Sequence, residues 1–225
     1  QLVYEVIDLD DAPVNITSKI KTYRKILRSL ARKERNGQLN TLTPDEQRIY
    51  DLFETVTEKD RFVKAAERQM RGQTGQYEKF LQALQTSGMY QERFIQIFQE
   101  HEVPVELTWL PFVESYYKYN AYSHAGAAGV WQFISSTARL YDLQMNSAAD
   151  ERFDPFKSAD AAARLLRANH DMLHSWPLAI TAYNHGPSGM LRAVRQCGTA
   201  DFGKIAMNYR SSTFGFYSRN YYAQF

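Results

Sequence analysis

The 225-residue sequence holds one cysteine, Cys197, so no internal disulfide can staple it. With His170, His174 and His185 scattered elsewhere, that lone thiol does not make a zinc pattern either. Long apolar runs are missing: the longest, Leu107 to Val113, is far short of the roughly 20 residues a membrane-spanning helix needs. Net charge is small, +2, while 44% of residues are hydrophobic and 14% aromatic, which excludes intrinsic disorder and leaves enough apolar mass for a sizeable core. No glycine-rich loop carries a phosphate-binding lysine, and no nucleophile elbow is present, so nucleotide and serine-hydrolase chemistry lose their usual signatures. No alternating strand pattern stands out, and no period of 20–50 residues marks a solenoid. No secretory leader opens the chain at Gln1, which by itself leaves location undecided.

What is present is unevenly distributed. Residues 1–113 carry 16 basic and 17 acidic side chains, residues 114–225 only 11 and 8; aromatics divide 12 against 19, with ten of the fifteen tyrosines in the second half. A charge-poor segment rich in flat amphipathic rings suits a groove for carbohydrate or another extended polar ligand, although such rings also simply fill cores. The most concentrated charge is at 19–35, eight basic residues against one acid, which reads as a contact for anionic lipid or polymer or as a solvated helix face.

Helical signals run throughout and predict an all-α fold. Ile16, Ile20, Tyr23, Leu27 and Leu30 recur at helical spacing over 16–35. Thr43, Pro44 and Glu46 spell an N-cap, a first-turn proline and a capping-box partner, opening a helix expected to bury Ile49, Leu52, Phe53 and Val56. The pattern repeats over 58–71 with Phe62, Val63, Ala66 and Met70, then over 75–87 and 91–101, parted by Ser87-Gly88. Pro104 opens a segment through Val113 that Pro111 interrupts. Asp154-Pro155 announces a long alanine- and leucine-rich helix to Leu173, followed by candidates at 176–183, 187–195 and 219–225. The loop from Asn120 to Gly129 is the least regular segment, as backbone at a cleft often is.

Four features bear on chemistry. Glu114, in WLPFVESYY, follows an apolar stretch; in such surroundings a carboxylic acid stays protonated near neutral pH and can act as a general acid, the alternative being a glutamate on a helix's wet side. No other acid lies between Glu114 and Asp142, so the local sequence offers no second carboxylate as nucleophile or base. Gln132 and the AYNHG stretch, Ala182 to Gly186, carry uncharged donors and acceptors suited to sugar hydroxyl and acetamido groups, or to caps and turns. HDMLH places His170 and His174 one turn apart like a zinc-protease motif, but with aspartate for glutamate and no third ligand in view.

Taken together, Glu114-Ser115, GAAGVWQF at 126–133 and AYNHG at 182–186 resemble the motifs of lytic transglycosylases of the goose-lysozyme-like superfamily. The flanks LTWLPFVES, DERFDPFKSADAAARLL and RNYYAQF are similar as well, and the resemblance covers about residues 75–225. It implies a lysozyme-like helical catalytic domain at 75–225 preceded by an N-terminal helical arm at 1–74. It further implies that Glu114 is the catalytic acid and base, that Ser115 helps hold its carboxyl group, and that Tyr183 hydrogen-bonds it. Gln132, Trp131, Asn184, Tyr221, Ser123 and Gly129 are implied as substrate-binding residues, with Gly126 and Gly129 letting the loop approach the glycan. The implied substrate is a peptidoglycan glycan strand, cut between N-acetylmuramic acid and N-acetylglucosamine without water, leaving 1,6-anhydro ends. The alternatives are a hydrolytic goose-type lysozyme and a non-catalytic wall-binding scaffold. Neither metal, cofactor nor nucleic acid enters this reading, and the implied location is the periplasm, with an outer-membrane lipid anchor upstream of Gln1. Three departures stand out: Trp131 replaces a frequent methionine, Tyr217-Ser218 replace an acid and a threonine before the last motif, and the 225 residues include no LysM repeat.

Overall fold

The computed structural model describes residues 16–69 and 76–225. Two compact units divide the chain between residues 75 and 76. Among the described residues the structure is helical with isolated β-bridges only, so the fold is all-α. No helix among them is long and apolar enough to cross a membrane.

The first unit comprises α1 (Ile16–Arg35), α2 (Pro44–Asp51) and α3 (Arg61–Lys64), the last continuing as a π-helical turn, Ala65–Gln69. α1 buries Leu27, Leu30 and Ala31 against Ile49, Phe53, Val56, Phe62 and Ala66. The capping box that opens α2 is formed: Thr43 accepts from the Glu46 amide and Glu46 accepts from the Thr43 amide. The Glu46 carboxylate also takes hydrogen bonds from Ser29 and Lys33, at 2.6 and 2.7 Å. These donors, led by Lys33, hold its pKa down at about 2. α2 is shorter than the sequence predicts, so Phe53 and Val56 reach the core from the turn beyond it, whose carbonyls Arg61 collects at 2.8 and 2.7 Å. Met70 and the stretch 70–75 lie outside the described residues, as does the side chain of Ile16.

The second unit holds α4 (Tyr77–Ser87), α5 (Gln91–Glu100), α6 (Pro111–Glu114), α7 (Ser135–Leu140), α8 (Pro155–Leu173), α9 (Trp176–His185), α10 (Pro187–Cys197), α11 (Phe202–Asn208) and α12 (Phe216–Gln224). α8 is the central post. Asp154 caps it by accepting from the amides of Phe156 and Lys157, and buried Ala159, Ala161, Ala162 and Ala163 let α5 and α9 pack closely against it. A second cluster, with Leu178, Met190, Ile205, Tyr209 and Phe214, binds α9 to α10 and α11, while α12 packs on α9. α7 and α11 escaped the sequence reading because each is under two turns, too short for a periodicity to register. The signal for α11 was its N-cap, Asp201, which accepts from the Lys204 amide at 2.9 Å.

Candidate active site

Glu114 ends α6, and the chain turns sharply after it. Ser115 leaves helical geometry, and Tyr116 and Tyr117 both take left-handed backbone, with φ of 53° and 57°. Two adjacent non-glycine residues there cost about 1–2 kcal/mol each, so the surroundings must hold the turn. Tyr117 does so from one side: it is buried against Phe94 and Phe112 and donates to the Thr108 carbonyl at 2.9 Å. Ser115 does so from the other, donating from Oγ to the Val130 carbonyl at 2.8 Å. Ser115 therefore does not hold the Glu114 carboxyl directly, as the resemblance implies; it ties the backbone beside Glu114 to the 121–133 loop.

The carboxyl group itself is gripped from α12. The Tyr221 hydroxyl donates to Glu114 Oε1, across 107 residues of sequence. Burial pushes the pKa of Glu114 up to about 7, opposed by that hydrogen bond, which favours the ionised form. The acids next in sequence are engaged elsewhere, Asp142 with Arg164 and Asp150 with Arg152. Burial, then the charge of Glu114, lifts the pKa of both Tyr221 and Tyr183 well above the ordinary phenol value, so both stay proton donors.

Tyr183 lies close enough to feel the charge of Glu114, but its hydroxyl donates to the Trp131 carbonyl at 2.8 Å. The expectation that Tyr183 hydrogen-bonds the carboxyl is corrected: helix packing brings α12, not α9, within reach of Oε1, and Tyr183 fixes the loop opposite. Trp131 is corrected too. Its ring is fully buried between Phe98 and Phe94, at centroid distances of 5.4 and 5.2 Å, so it forms core rather than a wall open to a ligand.

The loop that carries Trp131 is braced by several internal hydrogen bonds, although the buried Trp131 indole nitrogen has no partner among the described residues. Ala128 and Phe133 exchange backbone hydrogen bonds at 3.0 and 3.1 Å, and Ser123 closes the turn by accepting from the Ala127 amide at 3.0 Å on Oγ. Gly129, at φ +78°, has no room for a side chain: a Cβ would lie 1.8 Å from the Arg152 carbonyl oxygen. The missing side chain thus serves a close approach to Arg152 backbone, not to a ligand in the cleft. Gln132 also adopts positive φ, 51°, and donates from Nε2 to the Gly129 carbonyl at 2.8 Å. Asn184 is exposed on α9, and its Oδ1 accepts from Ser218 at 2.8 Å, joining α9 to α12 three residues before Tyr221.

Arg152 is the residue that sequence reasoning missed. Buried beneath the loop, it donates to the carbonyls of Gly126 and Phe133 at 2.8 and 3.2 Å and pairs with Asp150 at 2.6 Å. The available signal was one cation set among acids in DERFD. The HDMLH histidines stand apart from this cluster: His170 stacks on Trp176 with centroids 4.1 Å apart, and His174 caps α8 in left-handed backbone.

The site is therefore a partly buried carboxyl group poised near neutrality, oriented by one phenol, with a stiff loop and α9 beside it. Such a group can give up a proton and take one back within the same reaction. Residues 95–206 match the family described as Transglycosylase SLT domain. Over 98 residues the chain is 37% identical to membrane-bound lytic murein transglycosylase D of Escherichia coli (strain K12), a stretch covering 43% of this chain and 22% of that protein. Over 97 residues it is 33% identical to a protein of Alteromonas sp. (strain M-1), provisionally named for tributyltin chloride resistance, covering 43% of this chain and 47% of the other. The aligned stretch thus amounts to about a fifth of the Escherichia coli relative and about half of the Alteromonas one.

Proposed function

We propose that this chain, whose residues 95–206 match the Transglycosylase SLT domain, is a peptidoglycan lytic transglycosylase of the cell envelope. The observation that carries the reading is Glu114: a carboxyl group lifted to a pKa of about 7 by burial and held by the Tyr221 hydroxyl.

In the first step Glu114, protonated, gives its proton to the oxygen of the bond between N-acetylmuramic acid and N-acetylglucosamine as the C1–O bond breaks. The acetamido group of the muramoyl sugar meets the developing positive charge at C1, the part a second carboxylate plays in ordinary glycosidases. Glu114, now ionised, accepts the Tyr221 hydrogen bond at full strength. In the second step it takes the proton of the C6 hydroxyl of the same sugar; that oxygen bonds to C1 and closes the 1,6-anhydro ring. No water is consumed, and Glu114 ends protonated as it began. Having nucleophile and electrophile in one sugar makes closure effectively intramolecular. Ser115, Tyr183 and Arg152 act through structure, holding the 121–133 loop to the end of α6, to α9 and to the turn before α8 respectively. Gln132 and Asn184 are proposed to meet sugar polar groups, exchanging their present partners Gly129 and Ser218 for the ligand.

The test is digestion of purified sacculi by the chain and by its Glu114→Gln variant. Muropeptides lighter by one water than muramidase products are expected from the former, and cleavage reduced to background from the latter. Reducing ends would assign the protein to hydrolysis. Activity above a few per cent in the variant would remove Glu114 from the centre of the reaction, and no cleavage by the unaltered chain would leave a binding scaffold.

A further inference from the structure

The catalytic reading uses nothing from the first unit, yet that unit carries the steepest charge asymmetry in the molecule. α1 holds eight basic residues and one acid in a chain of net charge +2. Six of the cations, Lys21, Arg24, Lys25, Arg28, Arg32 and Arg35, are exposed, and at about 100° per residue they fall within an arc of about 100°. They form one stripe about 21 Å long at 1.5 Å per residue. None of them has an acidic partner among the described residues; Arg35 only donates to its own helix, at the Ala31 carbonyl. Of the three other charges on α1, Lys19 is half-buried, while Lys33 pairs with Glu46 at 2.7 Å and Glu34 with Arg61 at 3.0 Å. Folding has thus paired Lys33 and Glu34 and left six outer cations aligned, mutually repelling and without an acidic partner among the described residues.

We propose that this stripe is an electrostatic docking surface for a bilayer bearing anionic phospholipid headgroups. A straight, convex rod touches a plane along its whole length, so all six cations meet lipid phosphate at once, each strengthening adsorption about fivefold at low ionic strength. The apolar side of α1 is spent on Leu27, Leu30 and Ala31 inside its own unit, so the helix lies on the surface without inserting. Single-stranded nucleic acid is a poorer fit, since no aromatic ring shares the stripe for bases to stack on: Tyr23 is the only ring on α1, and the Arg48 guanidinium lies over it, 5.9 Å from its centroid. The choice of lipid over duplex DNA rests on the envelope function proposed above.

The experiment is flotation of the whole chain with equimolar phosphatidylcholine–phosphatidylglycerol vesicles, against phosphatidylcholine alone, at low and high salt. Binding is expected only with phosphatidylglycerol and only at low salt. The triple variant Arg24→Glu, Arg28→Glu, Arg32→Glu is expected to lose it by roughly a hundredfold or more. The matching lysine triple keeps it, and both retain the helical circular dichroism of the parent. Equal binding by the glutamate triple, or no binding by the parent, would overturn the proposal. So would tighter retention on sacculi or duplex DNA than on vesicles at the same salt. Sacculus digestion runs in parallel: if the parent chain fails to cleave, the catalytic reading falls while the vesicle result is judged by itself.

Discussion

Replacing Glu114 by glutamine removes a titrating group whose burial favours the neutral form, and the consequence for stability can be worked out without any substrate. The folded pKa is about 7 against an ordinary value of 4.5. Between those values the native state binds more protons than the unfolded chain, so this group's contribution to stability is complete below pH 4.5 and is lost as pH rises through 7. The difference of about 2.5 units amounts to about 3 kcal/mol at 1.36 kcal/mol per unit. Glutamine keeps the shape of the protonated acid and never ionises. The Glu114→Gln variant should therefore melt with the parent near pH 4.5 and be more stable by about 3 kcal/mol near pH 8.5. At roughly 2–4 °C per kcal/mol that is a gain of several degrees or more. Thermal melts followed by circular dichroism across that pH range measure it directly. A difference that does not change with pH, or a variant less stable than the parent at alkaline pH, would refute both the raised pKa and the acid role built on it.

Tyr221→Phe deletes the donor that favours ionised Glu114, so the alkaline limb of the kcat/KM profile should move up by about 1–2 units, a hydrogen bond to a charged group being worth about 1.5–3 kcal/mol; a limb that stays put would take Tyr221 out of contact with the carboxyl. Gly129→Ala forces a Cβ into the Arg152 backbone at a positive φ, and a loss of about 3 kcal/mol or more is expected by denaturant titration, against about 1 kcal/mol for Gly126→Ala, where the strain is conformational alone. Glu46 has the opposite sign to Glu114: its folded pKa of about 2 stabilises the first unit above pH 4.5, and that contribution, about 3 kcal/mol, disappears as pH falls from 4.5 towards 2. Hydrogen exchange in α1 and α2 should accelerate over that acid range in the parent and change little in Glu46→Gln.

How much was legible in the sequence differs from residue to residue. Helices announced by local chemistry came through: the Thr43–Glu46 capping box and the Asp154-Pro155 start of α8 depend on atoms within three residues of each other. Glu114 stood out because an acid after an apolar stretch is a local anomaly, and the rise in its pKa follows from the burial that stretch foretold. Family motifs were readable for a similar reason, as short contiguous strings whose order survives without knowing their contacts.

Partners across the fold were not legible. Tyr183 and Tyr221 are both tyrosines on late helices, and nothing in their spacing says which phenol faces Glu114; the packing of α12 on α9 decides it, sending Tyr221 to Oε1 and Tyr183 to the Trp131 carbonyl. Trp131 looked like a cleft wall until Phe94 and Phe98 closed around it, and Gly129 looked like a ligand-facing glycine until the Arg152 carbonyl occupied the space of its Cβ. The physical division is one of range. Backbone propensity, capping and amphipathic period act within a turn or two and are written in adjacent residues, whereas the grip on Glu114 spans 107 residues and exists only once helices have docked. The sequence by itself determined the longer helices, the acid and the run of cations on α1; tertiary structure alone decided which of those cations find an acidic partner and which neighbours give Glu114 its pKa and its partner.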